Sequence, residues 1–236
     1  MILSDSDRLT VLAGEAANLV EDGMVIGLGS GSTAEAFIDA LAQHIRSGKR
    51  VRGVATSLRS EVRARAAGIT LTTLLDAPIL DLGVDGADEI DPHLDLVKGR
   101  GGALLYEKIV AHACVRWMIV AASEKLVPSL GSRIPLPVEV VAFAWEQTAD
   151  RLRSLTLEPT LRVAADGSPF VTDGGHYVLD CQTGLINDAA QLATRLKLTT
   201  GVVDHGLFID FADAAMTVDT QGVVTTQTRA LERVRS

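Results

Sequence analysis

One stretch of the sequence, residues 84–108, concentrates side chains that can carry out acid–base chemistry. It reads VDGADEIDPHLDLVKGRGGALLYEK, with a lysine and a glycine-rich turn at Lys98–Gly102 and a carboxylate, Glu107, after the turn. Five more carboxylates precede the turn: Asp85, Asp88, Glu89, Asp91 and Asp95. Carboxylates, an ammonium group and glycine-exposed amides in one stretch suit a site that moves protons on a small polar substrate.

Glu107 falls within a predicted helix. Apolar residues recur at three- and four-residue intervals from Gly102 to Cys114, which is the helical period. The neighbours of Glu107 three and four positions away on this helix are all apolar: Ala103, Leu104, Val110 and Ala111. A carboxylate on such a face is either an edge residue in water or a partly desolvated group suited to act as a general base.

The glycine-rich turn before this helix favours the second interpretation. Small residues leading into a helix expose backbone amides to an anion, and Lys98 and Arg100 add positive charge. Upstream, Asp85 and Asp88 follow the apolar run Ile79–Val84. We therefore expect both aspartates at the carboxyl end of a strand, where open α/β sheets bind their ligands.

A second glycine turn lies near the N-terminus. Met24–Leu28 predicts a short buried strand, followed by Gly29–Thr33 and a helix, the βα unit that opens many phosphate and nucleotide sites. The turn lacks the Lys-Ser/Thr pair of a P-loop and the third glycine of the dinucleotide pattern. Thr56 and Ser57 stand where an acidic, ribose-binding residue would follow the next strand. Hydroxyls and amides at Ser30–Thr33 suit a phosphate or sugar hydroxyl better than NAD.

The elements around these turns predict an α/β fold. Helices and strands alternate up to about residue 130, which favours a mostly parallel, Rossmann-like sheet with helices on both faces. The predicted helices are 7–20, 33–45, 58–67 and 102–114, and the predicted strands are 24–28, 51–55, 71–74, 79–84 and 117–121.

The pattern changes after Pro128. Two predicted helices interleaved with about four strands indicate an inserted α+β domain of split-βαβ type. The helices are 145–155 and 188–198; the strands are 138–143, 160–163, 177–180 and one near Val202. Strands at 207–210, 215–219 and 223–226 are expected to return to the first sheet. The predicted domains are thus 1–130 with 207–236, and 131–206.

Composition narrows the function classes. The chain has 236 residues, 47% of them apolar, and 22 basic against 30 acidic side chains give a net charge of −8. An acidic chain without a basic run argues against nucleic acid and anionic membrane surfaces as partners. No apolar run reaches the ~18 to 20 residues of a membrane span, and the N-terminus lacks signal-peptide zones. We expect a cytoplasmic protein.

The cysteines and histidines give no sign of a metal site. Cys114 and Cys181 are far apart in apolar segments and are predicted to be buried thiols. No Cys or His spacing matches a metal-ligand motif. We expect no metal site.

Six segments, in order and at matching spacing, resemble the type A family of ribose-5-phosphate isomerases. They are Gly27–Thr33, Val84–Ile90, Lys98–Leu104 with Glu107 and Lys108, Ser123–Lys125, Leu136–Val140 and Gly201–Phe208. Each motif is weak evidence alone, but the ordered set spans nearly the whole chain and is specific.

The resemblance implies a cofactor-free aldose–ketose isomerase of the pentose phosphate pathway, which interconverts ribose 5-phosphate and ribulose 5-phosphate through an enediolate. It implies that Glu107 moves the proton between C1 and C2. Lys98 is our candidate to stabilise the oxyanion, while Asp85 and Asp88 bind hydroxyls and assist ring opening. The implied substrate-binding set is Ser30, Gly31, Ser32, Thr33, Asp85, Gly86, Ala87, Asp88, Lys98, Gly99, Arg100, Gly101 and Lys125. A homodimer or dimer of dimers is also implied, with 131–206 contributing to assembly.

The sequence departs from the family pattern at two positions, and two alternative functions are considered. Leu9 stands where some members carry a lysine near the phosphate, so another group must supply that charge or it is dispensable; Ser30 replaces a common threonine and keeps the hydroxyl. A sugar-phosphate-sensing domain is one alternative, although the residues before the first strand leave little room for a DNA-binding helix-turn-helix. An NAD-dependent oxidoreductase is the other, and the missing acidic residue after Ala55 argues against it.

Overall fold

The computed structural model describes residues 2–229, which form two compact units. Unit 1 comprises residues 2–87, 106–125 and 210–229, and unit 2 comprises residues 88–105 and 126–209.

Residues 2–229 contain six α-helices, one short 3-10 helix and fourteen strands. The helices are α1 Asp5–Ala17, α2 Ser32–Arg46, α3 Leu58–Ala66, α4 Leu104–Ala113, α5 Trp145–Arg153 and α6 Ala189–Lys197, with the 3-10 helix at Ser123–Lys125. The strands are β1 Val25–Leu28, β2 Arg52–Ala55, β3 Thr70–Leu71, β4 Leu80–Asp85, β5 Glu89–Ile90, β6 Leu96–Val97, β7 Cys114–Ala122, β8 Leu136–Val140, β9 Glu158–Leu161, β10 Tyr177–Gln182, β11 Val202–His205, β12 Leu207–Phe208, β13 Ala214–Val218 and β14 Val224–Thr228.

Unit 1 is a seven-stranded sheet in the order β14-β13-β7-β4-β1-β2-β3. All neighbouring strands are parallel except β14, which is antiparallel to β13. Ile26 and Leu28 of β1 belong to a core that includes residues of α1, α2 and α3. On the opposite face of β1, a Cβ at Gly27 would come within 2.8 Å of Val110 in α4. Helices therefore cover both faces, and the predicted Rossmann-like class is confirmed.

The order of the strands defines a switch point between β1 and β4. From β1 the chain adds β2 and β3 on one side, whereas β4, β7 and β13 extend the sheet on the other side. Loops leave the carboxyl ends of β1 and β4 in opposite directions at such a point and open a crevice for a ligand.

Unit 2 contains an antiparallel four-stranded sheet in the order β11-β8-β10-β9. Its elements follow one another as β8-α5-β9-β10-α6-β11, so the predicted split-βαβ arrangement is confirmed. Both helices contribute to its core, with Leu152 from α5 and Leu196 from α6. A second, three-stranded sheet joins β12, β6 and β5.

Two strand predictions need correction. The strand predicted at 207–210 was expected in the first sheet, but the observed strand β12 pairs with β6 of unit 2. The pairing continues at the next residues, where the Lys98 amide donates to the Gly206 carbonyl at 2.8 Å. The strand predicted at 71–74 is limited to Thr70–Leu71. β13 and β14 do join the first sheet as predicted.

Strands β5 and β6 pair with β6 and β12 in one small sheet, and residues 88–105 belong to unit 2. The boundaries of independently folding domains stay a prediction.

Both cysteines are buried thiols, as predicted. Burial raises the pKa of the Cys181 thiol to about 12. Within residues 2–229, no helix has the length and apolar character needed to cross a membrane.

Candidate active site

The first glycine turn joins β1 to α2 in unit 1. Gly31 is the N-cap of α2 with φ 92° and ψ 172°, a conformation that is essentially confined to glycine. Its helix has no side-chain cap, so the amides of the first turn point outward without an intrahelical acceptor. The Ser30 hydroxyl lies 2.8 Å from Thr56 Oγ1 and 2.7 Å from Ser57 Oγ, which follow β2. The turn is therefore held by its neighbour in the sheet and presents helix amides that suit an anion.

Asp85 closes the other side of the switch point. It is the last residue of β4 and is fully buried. Its Oδ1 accepts hydrogen bonds from the amides of Ser30 at 3.1 Å and Gly86 at 2.7 Å. Gly29 makes this approach possible, since a Cβ there would lie 2.3 Å from Asp85 Oδ1. The carboxylate is thus fixed against the first glycine turn.

A cavity of about 170 Å³ lies beside the start of α2, within unit 1. Four residues of the predicted substrate-binding set line it: Ser32, Thr33, Ala87 and Lys125. Leu9 also lines the cavity, so the position at which some family members carry a lysine is part of its wall. Helix amides, two hydroxyls and an ammonium group around a small space are the chemistry of an anion site.

Asp5 also lines this cavity, and so does Arg8. Its side chain is only 7% exposed, and its Nη1 and Nη2 donate to the two carboxylate oxygens of Glu124 at 2.6 and 2.9 Å. The hydrogen bond from Arg8 holds the pKa of Glu124 below its usual range. Because Glu124 immediately precedes Lys125, this pair ties α1 to the 3-10 helix that carries Lys125.

Glu107 lies in the first turn of α4 and is 4% exposed. Its helix neighbours Leu104, Val110 and Ala111 are equally buried, whereas Tyr106 and Ile109 are partly exposed. The residue is therefore on the buried face of the helix and not at a solvated edge. Of the two interpretations left open by the sequence, the structure supports the desolvated carboxylate.

The second glycine turn begins at Lys98 in unit 2. The Lys98 side chain is enclosed, with the residue 3% exposed and Nζ 5.5 Å from the centre of the Phe208 ring. The short sheet of β5, β6 and β12 fixes the residues on either side, because Lys98 directly follows β6 and Phe208 lies in β12. A buried ammonium group at this point is positioned more strictly than a surface lysine.

Backbone hydrogen bonds shape the turn and attach Asp88 to it. The amide of Gly102 donates to the Gly99 carbonyl at 3.0 Å and closes the turn. The amide of Arg100 donates to Asp88 Oδ2 at 3.1 Å. Space is open around Gly101, where an added Cβ would meet no heavy atom within 4 Å. Asp88 and this part of the turn therefore lie together.

Two of the carboxylates that drew attention in the sequence serve the backbone. Glu89 is fully buried and accepts hydrogen bonds from three amides of the loop 131–134, at 2.6, 2.6 and 3.2 Å. Asp91 accepts from the amides of His93 and Asp95 at 2.8 and 2.9 Å, and its burial raises its pKa. Both stabilise turns of unit 2.

The structure thus groups the predicted site residues within each unit. Residues 30–33, Asp85, Gly86, Ala87, Glu107 and Lys125 belong to unit 1, and Asp88 with Lys98–Gly101 belongs to unit 2.

Comparison with known proteins identifies the family. A family model described as ribose 5-phosphate isomerase A (phosphoriboisomerase A) matches residues 52–222. The chain belongs to this family. A ribose-5-phosphate isomerase A from Synechococcus sp. (strain JA-3-3Ab) is 47% identical over 226 residues, covering 94% of this chain and 98% of the relative.

Solved ribose 5-phosphate isomerases share the fold. One D-ribose-5-phosphate isomerase, in complex with phospho-erythronic acid, aligns with a TM-score of 0.93 and 33% identity over 96% of this chain and all (100%) of that chain. The ribose 5-phosphate isomerase A from Methanocaldococcus jannaschii aligns with a TM-score of 0.90 and 35% identity, covering 95% and 100% of the two chains.

Sequence reasoning on this isomerase A chain missed Arg8 and Glu124. They are 116 residues apart and form one bidentate ion pair, a long-range contact for which a single sequence carries no local signal. Arg8, next to Leu9 on α1, also lines the cavity, and its charge is paired with Glu124.

Proposed function

We propose that this chain is a ribose-5-phosphate isomerase, which interconverts D-ribose 5-phosphate and D-ribulose 5-phosphate without a metal or organic cofactor in the pentose phosphate pathway. The observation that carries the proposal is the carboxylate of Glu107, 4% exposed on the buried face of α4, in a chain that belongs to the isomerase A family. A desolvated carboxylate is the kind of base that can remove a proton next to a carbonyl.

The reaction requires one base and one group that stabilises negative charge. Glu107 takes the proton from C2 of the ring-opened aldose, and the electron pair of that C–H bond forms the C1–C2 double bond, with negative charge on O1. Return of the proton to C1, with transfer of the hydroxyl proton from O2 to O1, gives the ketose. A positioned base contributes about 10² to 10⁴ in rate.

Lys98 is our candidate for the oxyanion. It is 3% exposed, and an ammonium group shielded from water interacts more strongly with a developing charge. One well-placed donor of this kind contributes about 3 to 4 kcal/mol of transition-state stabilisation.

Asp85 and Asp88 are assigned to the sugar hydroxyls and to ring opening. Each is fixed by a backbone amide of a glycine turn, Asp85 by Ser30 and Asp88 by Arg100. Carboxylates held in this way accept hydrogen bonds from a substrate in one geometry only. Gly86, Gly99 and Gly101 contribute backbone groups to the same set.

The phosphate is assigned to the cavity beside α2. Ser32, Thr33 and Lys125 line it, and the amides of the first helical turn add partial positive charge. Ser30 supports this subsite through its bond to Asp85 and its contacts with Thr56 and Ser57.

We further propose a homodimer or a dimer of dimers in the cytoplasm, with unit 2 contributing to assembly. Phe143 and Leu198 of unit 2 are 88% and 80% exposed. Burial of these two side chains against another copy would remove apolar surface from water. Light scattering on the purified protein measures the assembly, and a monomer at micromolar concentration would contradict it.

Turnover of ribose 5-phosphate tests the function. Purified, EDTA-treated protein is incubated with the sugar phosphate, and ribulose 5-phosphate is followed by NMR. Formation of the ketose at a rate proportional to protein concentration is expected. Saturable binding without turnover would contradict it and would favour the sugar-phosphate-sensing module.

A further inference from the structure

One arginine outside the predicted site supports the second glycine turn from behind. Arg162 directly follows β9, and its Nη1 donates to the carbonyls of Gly99 at 2.9 Å and Arg100 at 3.0 Å. Two consecutive carbonyls of the turn therefore share one charged donor, and hydrogen bonds to charged groups are stronger than those between neutral groups.

The guanidinium is itself fixed on its other edge. Its Nε and Nη2 donate to the two carboxylate oxygens of Asp180 in β10, at 2.9 and 2.5 Å. The backbone of Arg162 is anchored as well, because its amide donates to Val178 and its carbonyl accepts from Phe170, both at 2.9 Å. The side chain is 14% exposed. A rigid, planar fork held in this way leaves Nη1 no freedom to follow the turn if the turn moves.

Peptide geometry then determines the direction of the turn's amides. In a trans peptide unit the C=O and the following N–H point in opposite directions. The Gly99 carbonyl binds Arg162, and the Arg100 amide on the other side of that unit donates to Asp88. The Arg100 carbonyl also binds Arg162, so the Gly101 amide points to the side of Asp88 too. Arg162 thereby directs two successive amides toward the proposed substrate side.

Phe170 completes the support. Its ring centre lies 5.7 Å from Arg162 Cζ, and the ring occupies the space of a Gly102 side chain, since a Cβ there would lie 2.4 Å from Cε1. The arginine and the ring therefore pack together against the end of the turn.

We propose that Arg162 is a positioning residue of the isomerase. Through the carbonyls of Gly99 and Arg100 it holds the second glycine turn so that the Arg100 amide holds Asp88, while Lys98 and the Gly101 amide keep their geometry toward the sugar. The inference rests on the proposed function, because it assigns the turn to the substrate.

The test compares Arg162→Met and Arg162→Lys with Arg195→Met, a control that removes an exposed arginine of α6 in the same unit. For each protein, kcat and KM for ribose 5-phosphate are measured well below the unfolding temperature. Peptide-resolved amide hydrogen exchange of residues 98–104 is measured without substrate.

We expect Arg162→Met to lower kcat/KM by about 10- to 100-fold, since displacements of an ångström in a site have effects of this size. Exchange in 98–104 should accelerate, while that of α6 is unchanged. Arg162→Lys should recover part of the loss, because a lysine keeps the charge but lacks the fork. If Arg162→Met does not fold, the kinetics and hydrogen exchange of Arg162→Lys still test the inference.

Two results would overturn the inference. One is kcat/KM of both Arg162 variants within twofold of the control, and the other is faster exchange of the turn without a kinetic effect. An unaltered chain that does not isomerise ribose 5-phosphate would instead overturn the proposed function, so the two failures are distinguishable.

Discussion

The two glycine turns share one local arrangement: each joins a strand to a helix that has a buried glutamate in its first turn. They differ in the contacts that hold them in place. In the first turn, the contacts come from neighbouring parallel strands, through Asp85 after β4 and Thr56 after β2. In the second turn, they come from residues more than 60 positions away, through Arg162. The conformation of the first turn therefore follows from the order of the parallel strands. That of the second turn depends on long-range contacts made within unit 2.

The glutamates after the two turns differ in their surroundings. Glu35 in α2 is 8% exposed and forms an ion pair with Arg59, whereas Glu107 in α4 is 4% exposed and is assigned to proton transfer. We expect Glu107→Gln to lower kcat by ~10² or more while KM changes less than about tenfold, because the amide cannot take a proton. Steady-state kinetics check this.

Glu35→Gln is the matched control, since it makes the same chemical change at the same place in the other helix. It should keep kcat within about threefold, as expected for a group outside the reaction. Equal losses in both variants would contradict the distinction between the two glutamates.

The geometry of the first turn should be sensitive to a side chain at Gly29. An added Cβ would lie 2.3 Å from Asp85 Oδ1 and 2.6 Å from its Cα, so Gly29→Ala must displace Asp85. We expect kcat/KM to fall by about 10- to 100-fold for a displaced site group. Gly14→Ala, in α1 where a Cβ meets nothing within 4 Å, is the control and should leave kcat/KM unchanged. A fully active Gly29→Ala enzyme would show that Asp85 need not be held there.

The second turn should show a packing effect that the first does not. Gly31 and Gly102 both have positive φ, but an added Cβ is free of contacts at Gly31 and lies 2.4 Å from Phe170 at Gly102. Gly31→Ala should cost about 1 to 3 kcal/mol of unfolding free energy through backbone strain alone. Gly102→Ala should cost a further ~1 to 3 kcal/mol through overpacking.

Urea unfolding of Gly102→Ala with and without Phe170→Ala separates the two contributions. In the Phe170→Ala background the overpacking part should disappear. Additive effects of the two substitutions would contradict the assigned contact.

The smallest expected effect concerns Arg8 and Glu124 beside the first turn. The pKa of Glu124 is lowered in the folded protein, so the pair stabilises it above the ordinary carboxyl pKa of 4.5 and this stabilisation is lost as pH falls through the folded pKa. Glu124 is 49% exposed, so Glu124→Gln should cost about 1 kcal/mol or less at pH 7.

Urea unfolding at neutral and acidic pH checks this effect. The difference between the unaltered protein and Glu124→Gln should shrink as the pH falls. A difference that grows on acidification would have the wrong sign for this pair.

The sequence predicted those features of the fold that are determined by local periodicity and by the order of the strands. The turn Gly29–Thr33, the helix around Glu107 and the placement of Asp85 at a strand end were all predicted from runs of apolar residues and glycines. In each case the determinant lies within a few residues of the element itself.

The rest depends on long-range contacts. Strands β5, β6 and β12 have two residues each, too short for any periodic signal, so their small sheet and the return of Leu207–Phe208 to β6 were missed. The same limit applies to Arg162, whose role is visible only once β9 and β10 bring it to the turn.

Solvent exchange during turnover tests the central claim, that Glu107 moves a proton between C2 and C1, most directly. Unaltered protein and Glu107→Gln are incubated with ribose 5-phosphate in D₂O, and deuterium at C1 of the ketose and C2 of the aldose is followed by NMR. We expect deuterium at both carbons with the unaltered protein and a rate lower by ~10² or more with Glu107→Gln. Deuterium incorporation at equal rates in the two proteins would contradict the assignment of Glu107 as the base.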